Sequence, residues 1–123
     1  MMLPHNPKQV FLAVGSTDMR KSINGLSVLV EQAMDLNAFA GDLFVFCNRR
    51  RNMIKILYWD DNGFALWHKR LEKHRFHWPS TTEGVVSLKT KELEWLLAGL
   101  DYSHAHAHLS YRFASCNNDP KVK

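Results

Sequence analysis

The residues best suited to chemistry in this 123-residue chain are the cations of one stretch, residues 47–79. This stretch contains half of the chain's 16 lysines and arginines. The cations are Arg49, Arg50, Arg51, Lys55, Lys69, Arg70, Lys73 and Arg75. Guanidinium and ammonium groups bind phosphate oxygens and release counterions, so this pattern predicts a nucleic-acid-binding surface. The same composition also fits a solvated face over an aromatic core, and the residues alone leave both interpretations open.

Aromatic side chains are interleaved with these cations. Trp59, Trp67 and Trp78 could stack on exposed bases, as in proteins that bind single strands, or could fill the core. Arg20 and Lys21 are a second candidate contact with phosphate. Asp18 beside them has a structural explanation, because a carboxylate is favourable at a helix N-terminus.

The alternation of polar and apolar residues predicts a β-hairpin within the cationic stretch. The pair Asn62-Gly63 tolerates the positive φ angles of a two-residue turn, so residues 53–60 and 64–72 are predicted to be antiparallel partners. In this register Lys55 lies opposite Arg70. A like-charge pair across two strands is unfavourable unless an anion lies over it, and a phosphate backbone would be such an anion.

The remaining patterns predict an α+β fold. Residues 9–14 and 43–47 are predicted strands, the second apolar on both faces as in a central strand. Apolar residues at three- and four-residue steps predict a long amphipathic helix over 18–34. A leucine-rich segment predicts a short C-terminal helix over 91–98. The arginine run lies in the turn at 48–52, where solvent or a ligand can reach it.

We therefore expect an antiparallel sheet of about four or five strands with one long helix packed on it and a short C-terminal helix. Residues 1–101 form the predicted single domain, and residues 102–123 the predicted flexible tail. Cys47 and Cys116 give no disulfide framework, and Cys47 is expected to be a buried, reduced thiol.

Composition and charge narrow the class of protein. A hydrophobic content of 46% indicates a folded chain, and a formal net charge of +4 favours polyanionic partners. The sequence has no signal-peptide pattern and no apolar run long enough to span a bilayer, so a cytoplasmic protein without a membrane partner is expected.

The sequence offers no clear catalytic or metal site. The carboxylates weighed as ligands of a paired-metal nuclease site are Asp18, Asp60, Asp61, Glu72, Glu92 and Asp101, and they form no spaced triad. His104, His106 and His108 alternate with alanine and could share one face of a strand, but a fourth ligand is not evident. We expect no catalytic residue, no metal and no cofactor.

Three segments, read in order, carry a resemblance to a known family. They are VGSTDMRKSINGL, GDLFVFCNRRRNMIKILYWDDNGFALWHKRLEKHRFHWP and ELEWLLAGLD, within residues 10–101. This succession resembles the TnpB accessory proteins, the second-reading-frame proteins of IS66-type insertion sequences. The resemblance does not extend to the histidine-rich tail.

The resemblance implies a non-catalytic accessory role in DNA transposition, beside a separate and larger transposase. DNA and the transposase of the same element are then the expected partners, and a homodimer is a further option. One alternative is a protein-interaction module whose arginine turn pairs with acidic residues of the transposase. A small metal-dependent nuclease is the other alternative.

Overall fold

A computed structural model describes residues 9–79 and 84–99, which form a five-stranded sheet with helices on both faces. The strands are β1 (Val10–Ala13), β2 (Leu43–Cys47), β3 (Met53–Asp60), β4 (Gly63–Arg70) and β5 (Val85–Leu88). The helices are α1 (Ile23–Val28), which continues as a π-helical segment (Leu29–Ala33), and α2 (Thr90–Leu97). Neither helix in this described part is long and apolar enough to cross a bilayer. The predicted tail and its histidines lie outside the described residues.

The sheet is mixed, with the strand order β4-β3-β2-β1-β5. The predicted antiparallel pairing holds for three of the four strand pairs, but β1 and β2 are parallel, with Val10 opposite Leu43. A parallel pair needs a long crossover connection, and the segment that contains α1 supplies it. The prediction of a wholly antiparallel sheet is therefore wrong at one pair.

Strand β2 is buried along its whole length because each face of the sheet is covered. On one face Phe44 and Phe46 belong to a core cluster with Leu26 of α1. On the other face Val45 clusters with Leu93 of α2. Alternate residues of a strand point to opposite faces, so a strand between two layers must be apolar throughout. The prediction of a central strand at this position is confirmed.

Cys47, the last residue of β2, is fully buried, as predicted for a reduced thiol. Burial in the core raises the pKa of the Cys47 thiol to about 12, since the thiolate would lose its hydration there. The side chain is therefore protonated at neutral pH and acts as a small apolar group.

The predicted long helix over 18–34 is wrong at its N-terminus. The helical segment runs only from Ile23 to Ala33, because the residues before it form a turn. In that turn the backbone N–H of Arg20 donates to the Asp18 carboxylate at 2.9 Å. Asp18 therefore does not cap the helix, and the extended Ser22 is the residue before the first helical turn.

The β3–β4 hairpin turns one residue earlier than the sequence predicts. Asp60 pairs with Gly63, so the central turn residues are Asp61 and Asn62 rather than Asn62 and Gly63. Asp61 has a φ of 55°, which aspartate tolerates better than most side chains. Gly63 therefore begins β4 and does not supply the positive φ.

This shift changes the partner of every residue in the hairpin. Lys55 lies opposite His68 and Arg70 lies opposite Met53, so the predicted Lys55–Arg70 pair is wrong. Each residue meets a partner two positions away from the predicted one, which leaves the assignment of side chains to the two faces unchanged. Because Lys55 and Arg70 are not opposite each other, the register gives no reason to expect an anion over them.

The arginine turn, residues 48–52, is held by the side chain of Asn48. Its Oδ1 accepts the backbone N–H groups of Asn52 and Met53, each at 3.0 Å, and its Nδ2 donates to Asn52 Oδ1 at 2.7 Å. Arg51 has a φ of 63°, an uncommon conformation for a residue with a side chain. The amide of Asn48 thus fixes a turn that the backbone does not favour by itself.

Replacing Asn48 by alanine is expected to lower the free energy of unfolding by about 1–3 kcal/mol, because two backbone donors lose their acceptor. Asn62→Ala in the exposed β3–β4 turn is the matched control, and we expect it to change stability by less than about 0.5 kcal/mol. Urea unfolding measures both. Equal effects of the two substitutions would contradict the role given to the Asn48 side chain.

Candidate nucleic-acid interface

The topology gathers most of the predicted cations at one end of the sheet. Strand β2 ends and β3 begins at the arginine turn, and Arg70, the last residue of β4, lies opposite Met53 at the start of β3. The chain leaves β4 at this end and continues past Lys73 and Arg75. We call this part of the molecule the cationic end, and its exposed cations are Arg20, Lys21, Arg49, Arg50, Arg70, Lys73 and Arg75.

The segment after β4 is tied to the arginine turn by its backbone. Leu71 N donates to Asn52 O at 2.7 Å, and Phe76 N donates to Arg51 O at 2.6 Å. Arg51 Nη1 also donates to the carbonyl of Trp78 at 3.3 Å. The side chains of Phe76 and Trp78 are buried in the α2-side core, so this segment lies firmly against the sheet. Arg51 therefore has a structural role, in which its guanidinium and its carbonyl hold this segment against the arginine turn.

Two more of the predicted binding cations also have internal partners. Lys55 Nζ donates to the carbonyls of Met19 and Lys21 at 2.9 and 3.0 Å and so holds the turn before α1 against β3. Lys69 Nζ donates to the carbonyl of Leu97 at 2.9 Å, at the end of α2. A cation is favourable there because the last carbonyls of a helix carry partial negative charge.

The other five predicted cations are exposed. Four of them, Arg49, Arg50, Lys73 and Arg75, have no ion pair or hydrogen bond from the side chain to any described residue. Arg70 Nε lies 3.1 Å from Glu72 Oε2, but both side chains are more than half exposed. An exposed pair of this kind is worth between 0 and about 1 kcal/mol, so a phosphate could replace Glu72 at small cost.

Arg20 and Lys21 join the cationic end because Lys55 anchors their turn to β3. The Arg20 guanidinium donates to both oxygens of Asp18, with Nη2 to Oδ2 at 2.7 Å. The side-chain hydrogen bond from Arg20 lowers the pKa of Asp18 to about 2. Arg20 therefore contributes less net charge to this surface than the exposed arginines of the turn.

The tryptophans do not form a platform at the cationic end. Trp78 is 6% exposed and donates from Nε1 to the carbonyl of Ala13 at 3.2 Å, and Trp67 packs partly buried against the same core. Trp59 lies near the opposite end of the hairpin, in contact with Phe39 and Phe64. Core packing is thus the role of Trp67 and Trp78. Sequence reasoning missed Phe39, whose only signal was an aromatic residue in a predicted loop.

The carboxylates weighed for a nuclease site are dispersed. Asp18 bonds to Arg20 and Glu72 to Arg70 at the cationic end, whereas Asp60 and Asp61 lie at the opposite end of the sheet. Glu92 is buried and accepts the backbone N–H of Lys89 at 2.7 Å, where it caps α2. Within residues 9–79 and 84–99, no three histidine, cysteine or acidic side chains converge as a metal-binding group. Asp101 lies outside the described residues.

The Asp18–Arg20 turn gives a pH-dependent prediction. Because the pKa of Asp18 is depressed, its contribution to stability is fully present above the ordinary aspartate pKa and is lost as the pH falls through about 2. In Arg20→Ala the Asp18 pKa should rise towards its ordinary value of about 3.9. NMR titration of the Asp18 carboxyl carbon measures this pKa. Lys21→Ala is the control and should raise the pKa less, and an equal rise would contradict the assignment of the shift to Arg20.

Comparisons with known proteins identify a family and two relatives that this chain resembles. The family model described as IS66 Orf2 like protein matches residues 8–107, which reaches into the segment predicted as a tail. An uncharacterized protein of Sinorhizobium fredii, y4hO, is 38% identical over 104 residues, covering 84% of this chain and 90% of that protein. A second from the same organism, y4jC, is 33% identical over 103 residues, covering 84% and 88%.

No solved structure gives a significant match. The family model covers most of the chain, and each of the two relatives matches 84% of it. The resemblance of the three sequence segments and the family match thus agree. The chain belongs to the IS66 Orf2-like family.

Proposed function

We propose that this protein is a non-catalytic accessory factor in transposition that binds the DNA of its insertion sequence through the cationic end. The observation that carries the proposal is that the predicted cations fall into two groups, those with internal hydrogen-bond partners and those exposed to solvent. Three are used internally, while Arg49, Arg50, Lys73 and Arg75 are exposed without internal partners among the described residues. Family membership supports the connection with transposition.

The internal bonds of Arg51, Lys55 and Lys69 support phosphate binding by their neighbours. Arg51 joins the arginine turn to the segment after β4, Lys55 holds the turn before α1 against β3, and Lys69 holds the end of α2 against β4. The exposed cations therefore project from a backbone that is already ordered, so binding costs mainly the freedom of their side chains. Contacts of this kind with phosphates give affinity and orientation without reading the base sequence.

The charge distribution also favours one orientation on DNA. Asp60 and Asp61 are exposed in the β3–β4 turn, at the other end of the hairpin from Arg70. Strands of eight residues separate the two ends by roughly 25 Å, well beyond the screening length at physiological salt. The cationic end would face the phosphates while the acidic turn stays away from them.

A second partner in this proposal is the transposase of the same element. The alternative of a pure protein-interaction module is favoured by one observation, the exposed Phe39 and its aromatic neighbours away from the cationic end. The two functions make different demands on the arginine turn. In the DNA-binding proposal it contacts phosphates, whereas in the alternative it contacts acidic side chains.

The double substitution Arg49→Ala, Arg50→Ala tests the DNA-binding proposal. It removes two phosphate contacts, so affinity for a duplex from the element end should fall, and the plot of log affinity against log salt should become shallower by about 2. The matched control is Lys89→Ala, Lys91→Ala, which removes the same charge from exposed positions at the start of α2. Fluorescence anisotropy at several salt concentrations measures both variants.

Equal losses in the two double variants would reduce the effect to net charge and contradict a specific role of the arginine turn. Absence of duplex binding by the folded wild-type protein at low salt would contradict the DNA-binding proposal and leave the protein-interaction alternative. The same samples, incubated with Mg²⁺, also test the nuclease alternative. Cleavage that disappears when one carboxylate is changed would replace the accessory role with an enzymatic one.

A further inference from the structure

A cluster of three aromatic rings lies near the acidic turn of the hairpin. Phe39 comes from the loop after the helical segment, Trp59 from β3 and Phe64 from β4. The ring centroids are 5.1 Å apart for Phe39 and Trp59, 5.2 Å for Phe39 and Phe64, and 5.0 Å for Trp59 and Phe64. We call these three residues the aromatic cluster. Each ring contacts both of the others, so the three residues pack together as one unit and are not isolated exposed side chains.

The outermost ring is held in an exposed position by its loop. Phe39 is 53% exposed. Its loop is fixed because the backbone N–H of Phe39 donates to Asn37 Oδ1 at 2.9 Å and the neighbouring Ala38 is buried. Trp59 and Phe64 are half-buried beneath it. Aromatic side chains are enriched at protein–protein interfaces, and a phenylalanine that an ordered loop presents over two further rings fits such a contact surface.

The charged residues around the aromatic cluster indicate which kind of partner can bind there. Asp60 follows Trp59 directly, Asp61 is next in the turn, and both are exposed. The cluster and the turn between its two strands contain no lysine or arginine. Carboxylates beside the rings repel phosphates and attract cations, and the aromatic faces themselves bind guanidinium and ammonium groups. A cationic protein segment fits this surface, and DNA does not.

We propose that the aromatic cluster and the Asp60–Asp61 turn bind a cationic segment of the transposase. This inference rests on the proposed function, which makes the transposase a partner but does not say where it binds. An arginine or lysine of the segment lies against the rings while its neighbours pair with the two carboxylates. DNA-binding proteins carry such cationic segments. The cationic end of this chain remains available for DNA, so one small domain can join the two partners.

A second copy of this chain is the other occupant that charge complementarity would allow. Its cationic end could approach the acidic turn, with Arg49 and Arg50 against Asp60 and Asp61. That contact would use the same cations that the proposed function assigns to DNA. We therefore assign the surface to the transposase, and self-association becomes an outcome of the test.

The test measures binding of the purified transposase of the same element to four forms of the full chain by titration calorimetry. The forms are the wild type, Phe39→Ala, the isosteric double variant Asp60→Asn, Asp61→Asn, and the control Val28→Ser. Val28 is 50% exposed, close to the exposure of Phe39, but it is not in the cluster. Asparagine also tolerates the positive φ of position 61, so this variant retains the turn. Thermal unfolding of each form verifies folding.

We expect Phe39→Ala and the double asparagine variant each to weaken transposase binding about tenfold or more, and Val28→Ser to change it less than about twofold. The three variants should bind element-end duplex DNA as the wild type does. Unchanged transposase binding in both cluster variants would overturn the inference, and so would wild-type protein that binds no transposase. Neither result would affect the DNA measurement, so failure of this inference is distinct from failure of DNA binding at the cationic end.

Sedimentation of the chain alone measures whether it associates with itself. A monomer at the concentrations used for calorimetry is the expected result. Self-association that is lost in the Phe39 and Asp60–Asp61 variants would overturn the inference and assign the surface to a contact between copies. Transposase binding that is lost instead in Arg49→Ala, Arg50→Ala would overturn it as well, by moving the protein contact to the cationic end.

Discussion

The anchoring of Arg51 is the interaction on which the cationic end depends. Its backbone adopts a φ of 63°, its carbonyl accepts the N–H of Phe76, and its guanidinium reaches the carbonyl of Trp78. One residue thereby joins the arginine turn to the segment after β4. With that segment in place, Phe76 and Trp78 complete the core on the α2 side. Lys73 and Arg75 lie between two backbone bonds to the arginine turn, those of Leu71 and Phe76.

Much of the fold was predictable from the sequence because it follows from periodicity and turn chemistry. The central strand, the hairpin and the C-terminal helix all correspond to local patterns of apolar residues. The errors came from competition between local signals. Asp61 takes the positive φ in place of Gly63, and the Asp18 turn delays the start of α1. The parallel pairing of β1 with β2 has no local signal, because it depends on where the crossover returns the chain.

The candidate site was predictable in composition but not in the role of each residue. Eight cations in one stretch indicate a basic surface, yet a lysine that binds two carbonyls looks like any other lysine in the sequence. Lys55 and Lys69 are internal because of partners 36 and 28 residues away. Such pairings appear only once the chain is folded. For the same reason, the sequence did not reveal that Phe39 returns to Trp59 and Phe64.

The central claim is that DNA lies against the cationic end. The most direct measurement is the backbone amide NMR spectrum of the full chain, titrated with a duplex from the element end. The account predicts shifts concentrated at the arginine turn and at Lys73 and Arg75, with little change around Asp60 and Asp61. Shifts concentrated at the acidic turn, or spread evenly over the surface, would contradict it.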